Sequence, residues 1–140
     1  YQLHNNKSNI SLVKRIAKEN NMLIVRITPS LFNLTSDMKN VFLPSPEKFL
    51  GFIKNAKYVF TDSFHATAFS IIYNKQFYIL PLLNGTYTRI ESLLKMFGID
   101  DRDALKFKID ENFIDYSSVN DIMSKKIASS RDVLISYIYH

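Results

Sequence analysis

The sequence predicts an α/β fold: an open, parallel sheet with helices on both of its faces. Three observations carry this. Short apolar runs rich in β-branched and aromatic residues alternate with segments of helical spacing. Each helical segment is long enough to serve as the crossover that parallel neighbours require. The composition is that of a packed globular protein, 46% hydrophobic and 22% charged, with 3 glycines and 4 prolines that leave no room for a long linker. A chain of 140 residues suits one domain with one core.

Tyr1 to His4 reads as a short strand, so the chain opens inside an element and is expected to be a fragment of a larger protein. Ser8 is a candidate N-cap for a helix reaching about Asn20, with Leu12, Val13, Ile16 and Ala17 on one face. Met22 to Ile27 is a continuous apolar run, read as a strand buried on both sides. A polar loop with Pro29 follows, then a brief strand at Val41 to Leu43. Ser45-Pro46 starts a second helix, a hydroxyl cap followed by proline at the first helical position. Phe49, Leu50 and Ile53 are its apolar side, and it ends near Asn55.

Lys57 to Thr61 is the next buried strand, Ser63 to Tyr73 a helix, and Phe77 to Leu80 a further strand. Pro81 to Tyr87 is a loop. Thr88 to Phe97 is a helix with Ile90, Leu93 and Leu94 inward, and Gly98 fits its C′ position. Asp100 to Phe113 is irregular. Ser118 and Asp121 form a capping box for a last helix to about Ile138, whose apolar side is Ile122, Ile127, Val133, Leu134 and Ile138.

Several function classes fall away at this level. There are no cysteines, hence no disulfide and no thiolate metal site. The three histidines are far apart in sequence and no His-Glu-x-x-His pattern occurs, so no metal is expected. No run approaches the roughly 18 apolar residues of a transmembrane helix. Net charge is +5 and the pI about 9.4. The cations are scattered rather than arranged as a basic stripe with exposed aromatics, so nucleic acid is not expected as a partner.

In open α/β sheets ligands bind beyond the carboxyl ends of the strands. Two loops there carry suitable chemistry. The first is Thr61-Asp62-Ser63-Phe64-His65-Ala66-Thr67, which joins a buried strand to a buried helix. A helix start offers free N–H groups and a partial positive charge to an anion. Asp62 or Ser63 would be the N-cap, the other being free for a ligand. His65 falls in the first turn, where the dipole disfavours the imidazolium and a bound anion favours it. The plainer reading is a packed core histidine. The second loop, Leu83 to Arg89, offers the hydroxyls of Thr86, Tyr87 and Thr88, and Arg89 for a bidentate contact with carboxylate or phosphate. The plainer reading of Arg89 is a surface cation near a helix start.

Tyr58 to Lys75, with Thr61-Asp62-Ser63-Phe64-His65-Ala66-Thr67 at its centre, resembles the signature of polysaccharide pyruvyl transferases, approximately Thr-Asp-Ser-Phe-His-Gly-Thr, then a helix, then Asn-Lys-Pro-Phe. Thr88-Arg89-Ile90-Glu91-Ser92-Leu93-Leu94, followed by Gly98-Ile99 and Arg102, resembles a second block of that family. Ser45 to Leu50 and Asn55-Ala56 fit its approach to the motif. The matching blocks run in order from about Ser45 to Arg102 and resemble the family's C-terminal region. Two residues depart from the pattern: Ala66 for glycine and Gln76 for proline.

The resemblance implies a Rossmann-like C-terminal domain over residues 1–140 of a bacterial two-domain enzyme of GT-B-like arrangement, with its active site in the interdomain cleft. It implies phosphoenolpyruvate as donor, a saccharide or lipid-linked saccharide as acceptor, a ketal product for exopolysaccharide or cell-envelope biosynthesis, and no cofactor or metal. It implies His65 as the catalytic residue, with Asp62, Ser63, Thr67, Thr88 and Arg89 binding substrate. It places the enzyme in the cytoplasm, at the inner face of the membrane, with the N-terminal domain of the same chain as a partner. The isolated domain is expected to be inactive alone. Two other functions fit the same loops: a GT-B nucleotide-sugar glycosyltransferase, and a non-catalytic module that binds anions or polysaccharide.

Overall fold

A computed structural model describes residues 1, 6–29, 31, 36–81 and 87–138. The described residues form a mixed α/β structure in the order α1 (Lys7–Glu19), β1 (Val25–Thr28), β2 (Lys39–Phe42), α2 (Pro46–Asn55), β3 (Tyr58–Thr61), α3 (Phe64–Ile72), β4 (Gln76–Ile79), α4 (Tyr87–Phe97) and α5 (Tyr116–Ile138). A single 3₁₀ turn at Ala104–Lys106 lies between the last two helices. Parallel pairing is present, across the helical crossover α3 for β3 and β4, and with no helix among the described residues between β1 and β2. β1 pairs with β2, Val25 opposite Lys39, and β3 pairs with β4, Tyr58 opposite Gln76. Among the described residues these are two separate two-stranded sheets, where the sequence predicts one open sheet. The strand expected at Tyr1 to His4 lies mostly outside the described residues; the Tyr1 nitrogen donates to the Phe60 carbonyl at 2.8 Å.

Local chemistry sets the element ends. Asn6, not Ser8, caps α1, its side chain accepting from the Ser8 and Asn9 nitrogens at 2.9 and 3.4 Å. Two cap-capable residues stand two apart here, and Asn6 is the one whose side chain reaches the free nitrogens of the first turn, which places Ser8 inside the helix. Ser45 caps α2 as its sequence indicates, with Pro46 at N1. Gly98 ends α4 at φ +65°, the left-handed C′ conformation that glycine adopts without strain. Asp115 caps α5 by accepting from the Ser117 nitrogen at 3.0 Å, and the Ser117 and Ser118 hydroxyls donate to its other oxygen. The expected box at Ser118 and Asp121 is therefore inside the helix. The Ser117 backbone bond, helped by both hydroxyls, holds the Asp115 carboxyl below the usual carboxylate range. Because the folded value is depressed, this cap stabilises α5 above pH about 4. It is lost as pH falls through the lower folded value. Protection of the Ser117 amide is expected to vanish there, and to be pH-independent in Asp115→Ala.

The main core lies on one face of the β3–β4 pair, and a second cluster lies on the other. Ile53 of α2, Val59 of β3, Ala66 and Ile71 of α3, Phe77 and Ile79 of β4, Ile90 and Leu94 of α4 and Val119 of α5 form one buried cluster. Leu12 and Ile16 of α1 pack with Tyr78, Leu80 and Ala104 in a second. Phe60, Tyr78 and Phe107 add aromatic contacts, with Tyr78 and Phe107 perpendicular at 4.8 Å between ring centroids. Only the last three residues of β1, Arg26, Ile27 and Thr28, are buried, and Leu23 is fully exposed. The run from Met22 is therefore no strand buried on both sides; its first half is a surface connection.

The irregular segment after α4 is tied to β4 by its backbone. Asp103 bridges Ile79 in parallel, and the Ile79 nitrogen donates to the Arg102 carbonyl at 2.6 Å. Gln76 extends this strap: its amide nitrogen donates to the Ile114 carbonyl at 3.3 Å, and its oxygen accepts from the Ile114 nitrogen at 2.8 Å. A proline here could make neither bond, so this departure from the family pattern has a structural reason. Gln76→Ala is expected to cost about 1–3 kcal/mol in urea unfolding, because it strands a donor and an acceptor of a half-buried segment. Among the described residues no helix is long and apolar enough to cross a membrane.

Candidate functional site

The site grows from the carboxyl end of β3. Thr61 is fully buried, and its hydroxyl accepts from the Ser63 nitrogen at 3.0 Å. That bond turns the chain out of the strand within two residues. Ser63 has extended backbone geometry and is the N-cap of α3, but its side chain makes no capping hydrogen bond. The Ser63 carbonyl accepts twice, from the Thr67 nitrogen at 3.0 Å and the Thr67 hydroxyl at 2.9 Å. The first turn of α3 holds no acidic residue. A helix start with neither a capping side chain nor a first-turn carboxylate leaves amide hydrogens and the positive end of the dipole to an incoming anion.

The predicted site residues divide into a floor and a rim. Asp62, Ser63 and Thr67 are buried at 1%, 3% and 0% exposure, whereas His65, Thr88 and Arg89 are exposed. The Thr67 hydroxyl is engaged by the Ser63 carbonyl and fixes the turn from beneath. His65 is not the packed core histidine of the plainer reading; it stands at the surface in the first turn of α3.

Thr88 and Arg89 lie in the first turn of α4, which begins one residue earlier than its periodicity suggests. The Thr88 carbonyl accepts from the Ser92 hydroxyl at 2.8 Å, an ordinary helix-internal contact. Leu83 to Thr86, the remainder of that loop, fall outside the described residues.

Phe64 brings the two predicted loops together. Its ring meets the His65 imidazole edge-on, 5.9 Å between centroids, and the Arg89 guanidinium lies 5.7 Å from the same ring centroid. A cation over an aromatic face is held by the ring quadrupole. The result is one surface carrying a histidine, an arginine and an uncapped helix start. These are groups whose chemistry attracts anions. Nothing in the periodicity identifies Phe64 for this role, because an aromatic at the first position of a buried helix reads as core.

Two further polar residues are buried outside the predicted loops. Asn9 is 2% exposed and its amide nitrogen donates to the Pro81 carbonyl at 2.9 Å, tying the first turn of α1 to the exit of β4. Arg26 is 6% exposed in β1. Neither residue stands out in sequence, since each interrupts an apolar face without a recognisable motif.

Ala66, which replaces the family glycine, points away from the rim. It is fully buried in the main core cluster, and its carbonyl accepts from the Ser70 hydroxyl at 2.7 Å. Its methyl group therefore fills core rather than ligand space. Among the described residues no group of three or more His, Cys, Asp or Glu side chains is placed to hold a metal ion.

A family model described as polysaccharide pyruvyl transferase matches residues 1–82 of this chain. The matched span runs through β4 and takes in Asp62, Ser63, His65 and Thr67; Thr88 and Arg89 lie beyond it. No curated protein and no solved structure matches.

Proposed function

The chain belongs to the polysaccharide pyruvyl transferase family, and from that premise we propose that its α3–α4 surface binds phosphoenolpyruvate as the donor for ketal formation on a saccharide. One observation carries the reading: His65 and Arg89 flank Phe64 beside the uncapped start of α3. Phosphoenolpyruvate has two anionic groups, a phosphate and a carboxylate, carried on the same carbon. A helix start suits the phosphate and a guanidinium suits either group.

On this reading the reaction proceeds in two additions. The enol methylene takes a proton and becomes a methyl group, leaving an oxocarbenium-like carbon. One sugar hydroxyl adds to that carbon and releases its proton. A second hydroxyl of the same acceptor then displaces phosphate, which departs with the remaining proton, and the ketal closes. The two protons lost by the sugar balance the one gained by the methyl and the one carried off by phosphate.

His65 is the proton-transfer group, since its imidazole is the rim side chain with both a donor and an acceptor nitrogen exposed to a ligand. Arg89 and the α3 amides neutralise charge on the donor and on the departing phosphate. Ser63 and Asp62 lie behind them, with Thr67 fixing the Ser63 backbone. The wider reading places this surface on a Rossmann-like half of a GT-B-like enzyme whose facing domain supplies the acceptor contacts, in the cytoplasm at the inner membrane face.

The test is acceptor-dependent release of phosphate from phosphoenolpyruvate by the full-length enzyme. Arg89→Ala is expected to raise the KM for phosphoenolpyruvate roughly 10- to 100-fold, the loss of a charge-assisted hydrogen bond. An unchanged KM would remove Arg89 from the donor site. Turnover of a nucleotide sugar in place of phosphoenolpyruvate would move the function to glycosyl transfer.

A further inference from the structure

The last helix leaves the body of the protein with an apolar stripe uncovered. Val119 is buried, and Ile122 and Met123 pack partly against the main core. Beyond them every residue from Ser124 to Ile138 is exposed. The exposed residues nevertheless continue the packed face. Ile127, Leu134 and Ile138 fall in line with Val119 and Met123 at helical spacing, with Tyr137 beside them. Exposures of 61% for Ile127, 63% for Leu134, 80% for Tyr137 and 74% for Ile138 make this a contiguous apolar strip rather than scattered surface hydrophobes.

The charges around the strip select its occupant. This half of α5 holds Lys125, Lys126 and Arg131 against a single carboxylate, Asp132. By helical rotation Lys126 lies along one edge of the strip and Arg131 along the other, while Asp132 lies on the far side. Long cationic side chains at the margins of an apolar face can lay their stems along it and raise their heads to a phosphate layer. A second copy of the helix fits less well. Ser130 and Arg131 interrupt the strip where a paired helix needs an apolar knob, and self-pairing would bring like charges together.

We infer that the Ser124–Ile138 half of α5 lies along an anionic lipid surface, its Ile127, Leu134, Tyr137 and Ile138 strip in the acyl boundary and Lys126 and Arg131 at the headgroups. This does not depend on the reaction proposed above. Cosedimentation of the full-length protein with phosphatidylcholine vesicles, with and without phosphatidylglycerol, tests it. Binding is expected only with phosphatidylglycerol present, to weaken with salt, and to fall at least about tenfold in Leu134→Ser/Ile138→Ser. Lys126→Glu/Arg131→Glu is expected to weaken it roughly tenfold or more while helicity is unchanged. Equal binding to both vesicles, no binding to either, or a dimer in sedimentation that Leu134→Ser dissociates would each overturn the inference.

Discussion

Replacing His65 by alanine is expected to lower pyruvyl transfer by the full-length enzyme roughly 100- to 10,000-fold, the range of a lost proton-transfer group. Its melting temperature is expected to stay where it is, because His65 is exposed and, among the described residues, its ring meets the adjacent Phe64. The two readouts separate chemistry from folding. A loss confined to kcat marks a group acting in the transition state, whereas a rise in KM alone would make His65 a donor contact only. Transfer at the native rate in a folded His65→Ala protein would remove the histidine from the mechanism.

Phe77→Ala is expected to have the largest effect on stability, about 3–5 kcal/mol in urea unfolding. Phe77 is fully buried in the middle of β4, inside the cluster that joins α2, α3, α4 and α5. Truncation opens a cavity inside that cluster, and close-packed neighbours relax into such a space only in part. Because the same cluster holds Ala66 of α3 and Ile90 of α4, the α3–α4 surface is expected to loosen with it. Weaker donor binding in Phe77→Ala, at a temperature where the protein is still folded, checks that link. A loss under about 1 kcal/mol would show that Phe77 is not the packing centre of this core.

Much of the local architecture can be read from residues that have one physical solution. Ser45-Pro46 can only begin a helix, Gly98 supplies a left-handed stop, and the alternation of β-branched runs with helical spacing forces parallel pairing. The reading falters where two solutions compete or where burial decides. Asn6 and Ser8 both suit a cap, and Asp115 sits three residues before the box that Ser118 and Asp121 mimic. Met22 to Val25 is apolar enough for a buried strand, yet Leu23 is fully exposed. The apolar side of α5 is correctly periodic, but periodicity cannot say whether a neighbour lies against it.

The candidate site follows the same division. The types and spacing of Asp62, Ser63, His65 and Arg89 mark two loops at strand ends. That the loops meet through Phe64, and that Asp62 and Thr67 lie beneath the rim, depends on tertiary packing between α3 and α4. Gln76 shows the converse. It reads as a lapse from a family pattern, but in the fold it holds the segment before α5 against β4.

The most direct test of the anion seat is an NMR titration of this chain with phosphoenolpyruvate, following the Phe64, His65 and Ala66 amides and the His65 ring. Inorganic phosphate and a UDP-sugar serve as comparisons. Saturable shifts at these positions, stronger with phosphoenolpyruvate than with either comparison and weakened by Arg89→Ala, are the predicted result. No shift at the start of α3, or a preference for the nucleotide sugar, would contradict it.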